Sequence, residues 1–138
     1  MRAAGAIGLA LWLLAVCTSA AGLAPQSNYQ LHCMGCHGAA GKSDPTRVPT
    51  ISKAFVVFAE TPEGRDFLER VPGVASAPLN DEDLTALLNW LFASLKQGAD
   101  KAAFAVAEVA RARRHPLADV AAARERVEAG RWPEASSP

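Results

Sequence analysis

Three cysteines, two methionines and one tyrosine in 138 residues leave the chain poor in the side chains that most often mark a function, and each scarcity excludes something. Three cysteines are too few for a disulfide-stapled scaffold. Basic and acidic side chains number 14 each, so no surplus of charge draws the chain to a polyanion, and nucleic-acid binding is not expected. Aromatic residues make up 7% against 50% apolar residues, which suits a small all-α domain better than a β-sandwich. The apolar run from Ile7 to Val16 is too short to span a bilayer comfortably. There is no internal repeat and no acid–base constellation of a catalytic kind.

The first residues form a unit of their own. Arg2 gives a positive start, Ile7 to Val16 the apolar run, and Thr18-Ser19-Ala20 a small-residue cleavage site, so residues 1–20 are expected to be a signal peptide. Cleavage after Ala20 or Ala21 leaves an exported, periplasmic chain of about 118 residues. Two variants keep it at a membrane: an uncleaved signal anchor, or lipidation at Leu14-Ala15-Val16-Cys17, which imitates a lipoprotein box with an ill-fitting valine. Loss of the leader removes Arg2 and Cys17, leaving 13 basic and 14 acidic groups and a net charge of about −1. Residues 21–100 then carry 6 basic and 9 acidic groups and residues 101–138 carry 7 and 5, so the C-terminal stretch is mildly basic.

The remaining cysteines stand in Cys33-Met34-Gly35-Cys36-His37. On a helical turn two thiols at this spacing can bond to the vinyl groups along one haem edge, and His37, four residues after Cys33, shares the face and can ligate the iron. Gly35 gives room between the cysteines. A redox disulfide needs a preceding strand and a βαβ setting, and Ser27 to His32 show no strand alternation. A zinc site could recruit His32 and His37, but no second cysteine pair completes it. In an oxidising compartment, attachment to one covalent haem c is the natural use of the pair.

Ser27 can cap a first helix that carries Tyr29, Leu31 and Cys33 and breaks at Gly38. Gly41, Ser43, Asp44, Pro45 and Pro49 mark a loop to Thr50. Ser52 caps a segment whose Phe55, Phe58 and Ala59 recur at helical spacing, although Phe55-Val56-Val57-Phe58 has strand propensity. Thr61-Pro62-Glu63 starts a further helix with Phe67 and Leu68 inward, and Val71 to Leu79 reads as a loop. Asn80 and the acids 81–83 open the strongest helix, with Leu84, Leu87, Leu88, Leu91 and Leu95 as its core stripe to Lys96. Beyond it, Asp100 can cap a helix to Arg114, and Pro116 can start another to Glu128 on a thin face of Leu117, Val120, Ala121 and Val127. Arg111, Arg113 and Arg114 read as a solvated basic face, with contact to haem propionates or an acidic partner as the sharper alternative. Residues 135–138 are expected to be disordered.

From about Tyr29 to Leu95 the chain resembles small monohaem c-type cytochromes of the class I kind. The resemblance rests on Cys33-Met34-Gly35-Cys36-His37-Gly38 after a first helix, a Gly/Pro loop, and the helix Asn80-Asp81-Glu82-Asp83-Leu84 to Trp90-Leu91. It implies a haem domain over 21–98, a helical extension over 99–138, thioethers at Cys33 and Cys36, and His37 as proximal and metal ligand. It further implies an electron carrier rather than an enzyme, working with a redox partner protein such as an exported dehydrogenase or a respiratory-chain component. A third reading, a structural cytochrome subunit of an exported dehydrogenase, uses the helical tail, which lies outside the resemblance, as a docking arm. One departure matters: the family's distal methionine-proline pair falls on Val71-Pro72. Met34 is locked between the cysteines and His32 is too near His37, so His115, Lys42, Lys53 or an open position remain. An open iron site is the basis of the alternative, a haem ligand-binding or sensing protein or a small haem enzyme.

Overall fold

The computed structural model describes residues 22–39, 41–42, 48–51, 53–96 and 104–130, and every regular element among them is a helix. The expected leader, the expected caps Ser52 and Asp100, and residues 135–138 lie outside the described residues.

Helix α1 (Pro25–His32) starts on Pro25, whose fixed φ is ready for a first helical position, and Ser27 lies inside the helix rather than capping it. It buries Asn28 and Tyr29; Leu31, two residues on from Tyr29, falls off that face and is 65% exposed. A single turn, α2 (Met34–His37), follows.

The Phe55 to Phe58 segment is helical, in α3 (Lys53–Ala59). In α4 (Pro62–Arg70) the expected start signal is in place: Thr61 Oγ1 accepts from the Gly64 N–H at 3.1 Å and Pro62 sits at the first turn. Gly64 lets the two helices approach, since a Cβ there would collide with the Phe58 carbonyl. The expected loop after α4 contains one helical turn, α5 (Pro72–Ala75), because Pro72 repeats the same proline start after the Val71 cap. Helix α6 (Asp81–Lys96) begins where Asn80 Oδ1 accepts from the Asp83 N–H at 2.6 Å.

Two boundaries in the C-terminal stretch differ from expectation. Helix α7 (Val106–Ala112) ends before Arg113, and α8 (Val120–Glu128) begins four residues after Pro116. Asp119 wins that start because its carboxylate accepts from the Ala122 N–H at 2.9 Å, while the Leu117 N–H is drawn to the Arg70 carbonyl of α4 at 2.9 Å. On α8 the buried residue is Ala123; Ala121 is exposed.

Helix α6 packs into two clusters. Leu84, Leu88 and Phe92 pack with Ala59, Phe104 and Val109, while Leu87 and Leu91 pack with Tyr29 and the half-buried Cys33, Ile51, Phe55, Leu79 and Trp90. A further cluster joins Phe58 and Phe67 to Leu117 and Ala123. Asn89 pins the returning chain by a reciprocal pair, donating to the Phe104 carbonyl and accepting from its N–H, each at 2.9 Å. The described part of the extension is therefore built into the core.

Candidate functional site

The motif occupies a turn offset from α1. Cys33 ends α1 with φ −122° and ψ −37°, and its carbonyl accepts from the Cys36 N–H at 3.2 Å and the His37 N–H at 2.9 Å. Cys33, Cys36 and His37 thus sit on one turn. Space at Gly35 is open. Gly38 ends the turn at φ +70°, where a side chain would be strained and its Cβ would meet the Lys42 carbonyl at 2.6 Å.

Tyr29, which motif reasoning passed over, holds the exit from this turn. Its hydroxyl donates to the Gly38 carbonyl at 2.7 Å and accepts from the Gly41 N–H at 3.1 Å. The ring is buried and lies 5.7 Å from that of Trp90, so the loop is fastened through α1 to α6. Burial raises the Tyr29 pKa above its ordinary value, which keeps the hydroxyl a donor.

Both thiols are free, Cys33 half-buried and Cys36 exposed. Burial, with the neighbouring Cys36, pushes the Cys33 thiol up. His37 is half-buried, with its Nδ1 enclosed and closing no hydrogen bond to the described residues. Burial holds its pKa below the ordinary imidazole value, and the Pro49 carbonyl opposes this only in part. A neutral imidazole is the form that ligates a metal.

These features fit a covalent haem, which needs two free thiols and an imidazole on one turn. They do not suit a zinc set: among the described residues no three His, Cys, Asp or Glu groups gather where they could hold a metal ion.

Val71 packs against the cluster of Phe58, Phe67, Leu117 and Ala123, and between residues 71 and 79 there is no His, Met, Cys or Lys. His115 is exposed, its N–H donating to the Ala112 carbonyl and its carbonyl accepting from Arg70 Nε at 2.8 Å. Lys42 is exposed, and the Lys53 side chain lies outside the described residues.

The basic cluster is not one solvated face. Arg111 and Arg114 are exposed, but Arg113 reaches back to the segment before α6. Its guanidinium donates to the carbonyls of Ala75, Ala77 and Leu79 at 3.1, 2.7 and 2.8 Å, and meets Asp81 Oδ1 at 3.0 Å. That grip fixes Leu79, which packs against the cluster of Tyr29, Leu87 and Leu91 that Cys33 also borders.

The chain matches no family model, no curated protein and no solved structure.

Proposed function

We propose that this chain is an exported c-type cytochrome that carries single electrons on one covalent haem, held by Cys33, Cys36 and His37. The observation that supports it most is the single turn on which two free thiols and a neutral, half-buried imidazole stand together. When bound, such a haem supplies one-electron exchange at its exposed edge. The chain's own part is to hold and orient. Cys33 and Cys36 fix the edge, His37 offers an imidazole that burial keeps unprotonated, and Tyr29 locks the loop behind the turn. Exposed Cys36, Met34 and Leu31 leave the motif open to a redox partner, an exported dehydrogenase or a respiratory-chain component. Residues 1–20 would direct export to the periplasm, with membrane attachment only if the signal is retained or lipidated.

Co-expression with a c-type haem maturation system tests the reading. Haem is expected to stay with the chain through denaturation and acid-acetone extraction, and Cys33→Ala with Cys36→Ala to abolish that bond completely. Stoichiometric zinc without haem in the native protein would overturn it.

A second reading, ligand binding, sensing or small-molecule chemistry at an open iron position, is favoured by the segment 71–79, which offers no usual ligand side chain. The reduced protein is expected to bind carbon monoxide readily. Its oxidised spectrum should lack the sulfur-to-iron feature and be high-spin, and His115→Ala should leave it unchanged. Axial methionine found by magnetic resonance would contradict both the open site and the inventory behind it.

A further inference from the structure

Glu69 on α4 has no part in the turn that holds Cys33 and His37. It is fully buried, and neither carboxyl oxygen has a hydrogen-bond partner among the described residues. An ionised carboxylate so placed loses its hydration and gains no donor in return, so the docked structure favours the neutral acid.

The groups around it reinforce this. On α4 itself, Asp66 repels a charge at Glu69 and Arg65 attracts one; from α7, Glu108 repels and Arg111 attracts. The Arg65 cation is already engaged, since its Nε bonds Glu108 Oε1 at 2.9 Å, and Asp66 is paired with Arg70 at 3.1 Å. From α8, Arg124 lies over the Phe58 and Phe67 rings. Helix α5 has no ionisable side chain, and the one on α3, Lys53, lies outside the described residues. Burial first, then Glu108 and Asp66, push the Glu69 carboxyl up to about 8.

We infer that Glu69 is a proton-controlled latch on α7: while neutral it permits α7 to stay docked along α4, and on losing its proton it loosens α7 together with the Arg113 grip on residues 75–81. The mechanical link is continuous. Helix α7 leads directly into Arg113, Arg113 holds the carbonyls of Ala75, Ala77 and Leu79, and Leu79 packs against the cluster that Cys33 also borders. Proton uptake at one side of the bundle is thereby tied to the segment beside the motif.

The sign follows from linkage. Docked Glu69 keeps its proton up to about pH 8, whereas in the undocked chain it would titrate near the ordinary 4.5. Docking therefore weakens as pH rises through that interval, tenfold per unit, and becomes independent of pH below and above it.

Two measurements on the full mature protein test the latch. Carbon-13 titration of the Glu69 carboxyl is expected to show a midpoint well above those of the other acids. Amide hydrogen exchange, corrected for its intrinsic pH dependence, is expected to show α7 protection falling about tenfold per unit between pH 5.5 and 7.5. Over the same range α6 amides from Leu88 to Phe92 should stay better protected, and Glu69→Gln should remove the α7 slope. A Glu69 midpoint near 4.5, a flat α7 profile in the wild type, or a slope that persists in Glu69→Gln overturns the inference. So does identical protection in α6 and α7, which is global unfolding. If the glutamine variant does not fold, the carbon titration and the comparison of α6 with α7 decide, and neither depends on haem loading.

Discussion

A chain ending at residue 98 is expected not to fold cooperatively. The removed stretch contributes Phe104, Val109, Ala112, Leu117 and Ala123, all buried. Full burial of a large apolar side chain is worth about 1.5–3 kcal/mol, so Phe104, Val109 and Leu117 alone account for roughly 5–9 kcal/mol, as much as the whole stability of many small domains. The cut also uncovers Phe67, Leu84 and Leu88, and leaves the Asn89 amide without both of its Phe104 bonds. Circular dichroism with chemical denaturation checks this: a flat, non-cooperative profile is expected. A sharp transition in the shortened chain would show that residues 104–130 dock on a core complete without them.

Arg113→Ala is expected to destabilise the protein by about 3 kcal/mol. Hydrogen bonds to a charged donor contribute about 1.5–3 kcal/mol each and do not add independently when one guanidinium makes them all. Three carbonyls and Asp81 lose their shared donor at once, with the Arg113 side chain only 15% exposed. Arg113→Lys should recover only part of the loss, since a single ammonium cannot address the same set of oxygens with the reach of a planar fork. Arg111→Ala and Arg114→Ala, at exposed positions, should change stability by less than about 0.5 kcal/mol. Equal effects at all three positions would refute the special role of Arg113.

The contrast among those arginines shows what could be read from the residues alone. The leucine stripe of α6, the Asn80 cap, the Thr61-Pro62-Glu63 start and the turn of Cys33 to His37 are local devices, each written within a few neighbouring positions. Arg113 is not local. Its partners lie more than thirty residues earlier, and nothing in its immediate surroundings separates it from Arg111 or Arg114. Glu69 is hidden for the same reason, since between Leu68 and Arg70 it resembles any surface acid until α7 covers it.

Much of the buried face of the C-terminal stretch is alanine. Ala112 and Ala123 are as buried as the core leucines, yet alanine carries little hydrophobic contrast, so the pattern suggests a thin solvated helix. Two start signals also compete between α7 and α8, and the Asp119 cap on Ala122, together with the bond of the Leu117 N–H to the distant Arg70 carbonyl, favours Asp119 over Pro116. Phe104, Val109 and Leu117 pack into the clusters of Leu84, Leu88 and Phe67, leaving the cluster around Tyr29 as the one that borders the motif.

Because the core is closed from its far end, the order in which the chain becomes available sets a clock. About ninety residues separate Cys36 from Ala123, and at roughly 5–20 residues per second their synthesis takes on the order of 5–20 s. Within that interval the thiols already exist while the clusters around Phe58, Phe67, Leu84 and Leu88 are not yet completed by Phe104, Val109, Leu117 and Ala123. Any chemistry performed on Cys33 and Cys36 thus has a period in which the chain is long enough to be recognised and not yet able to close.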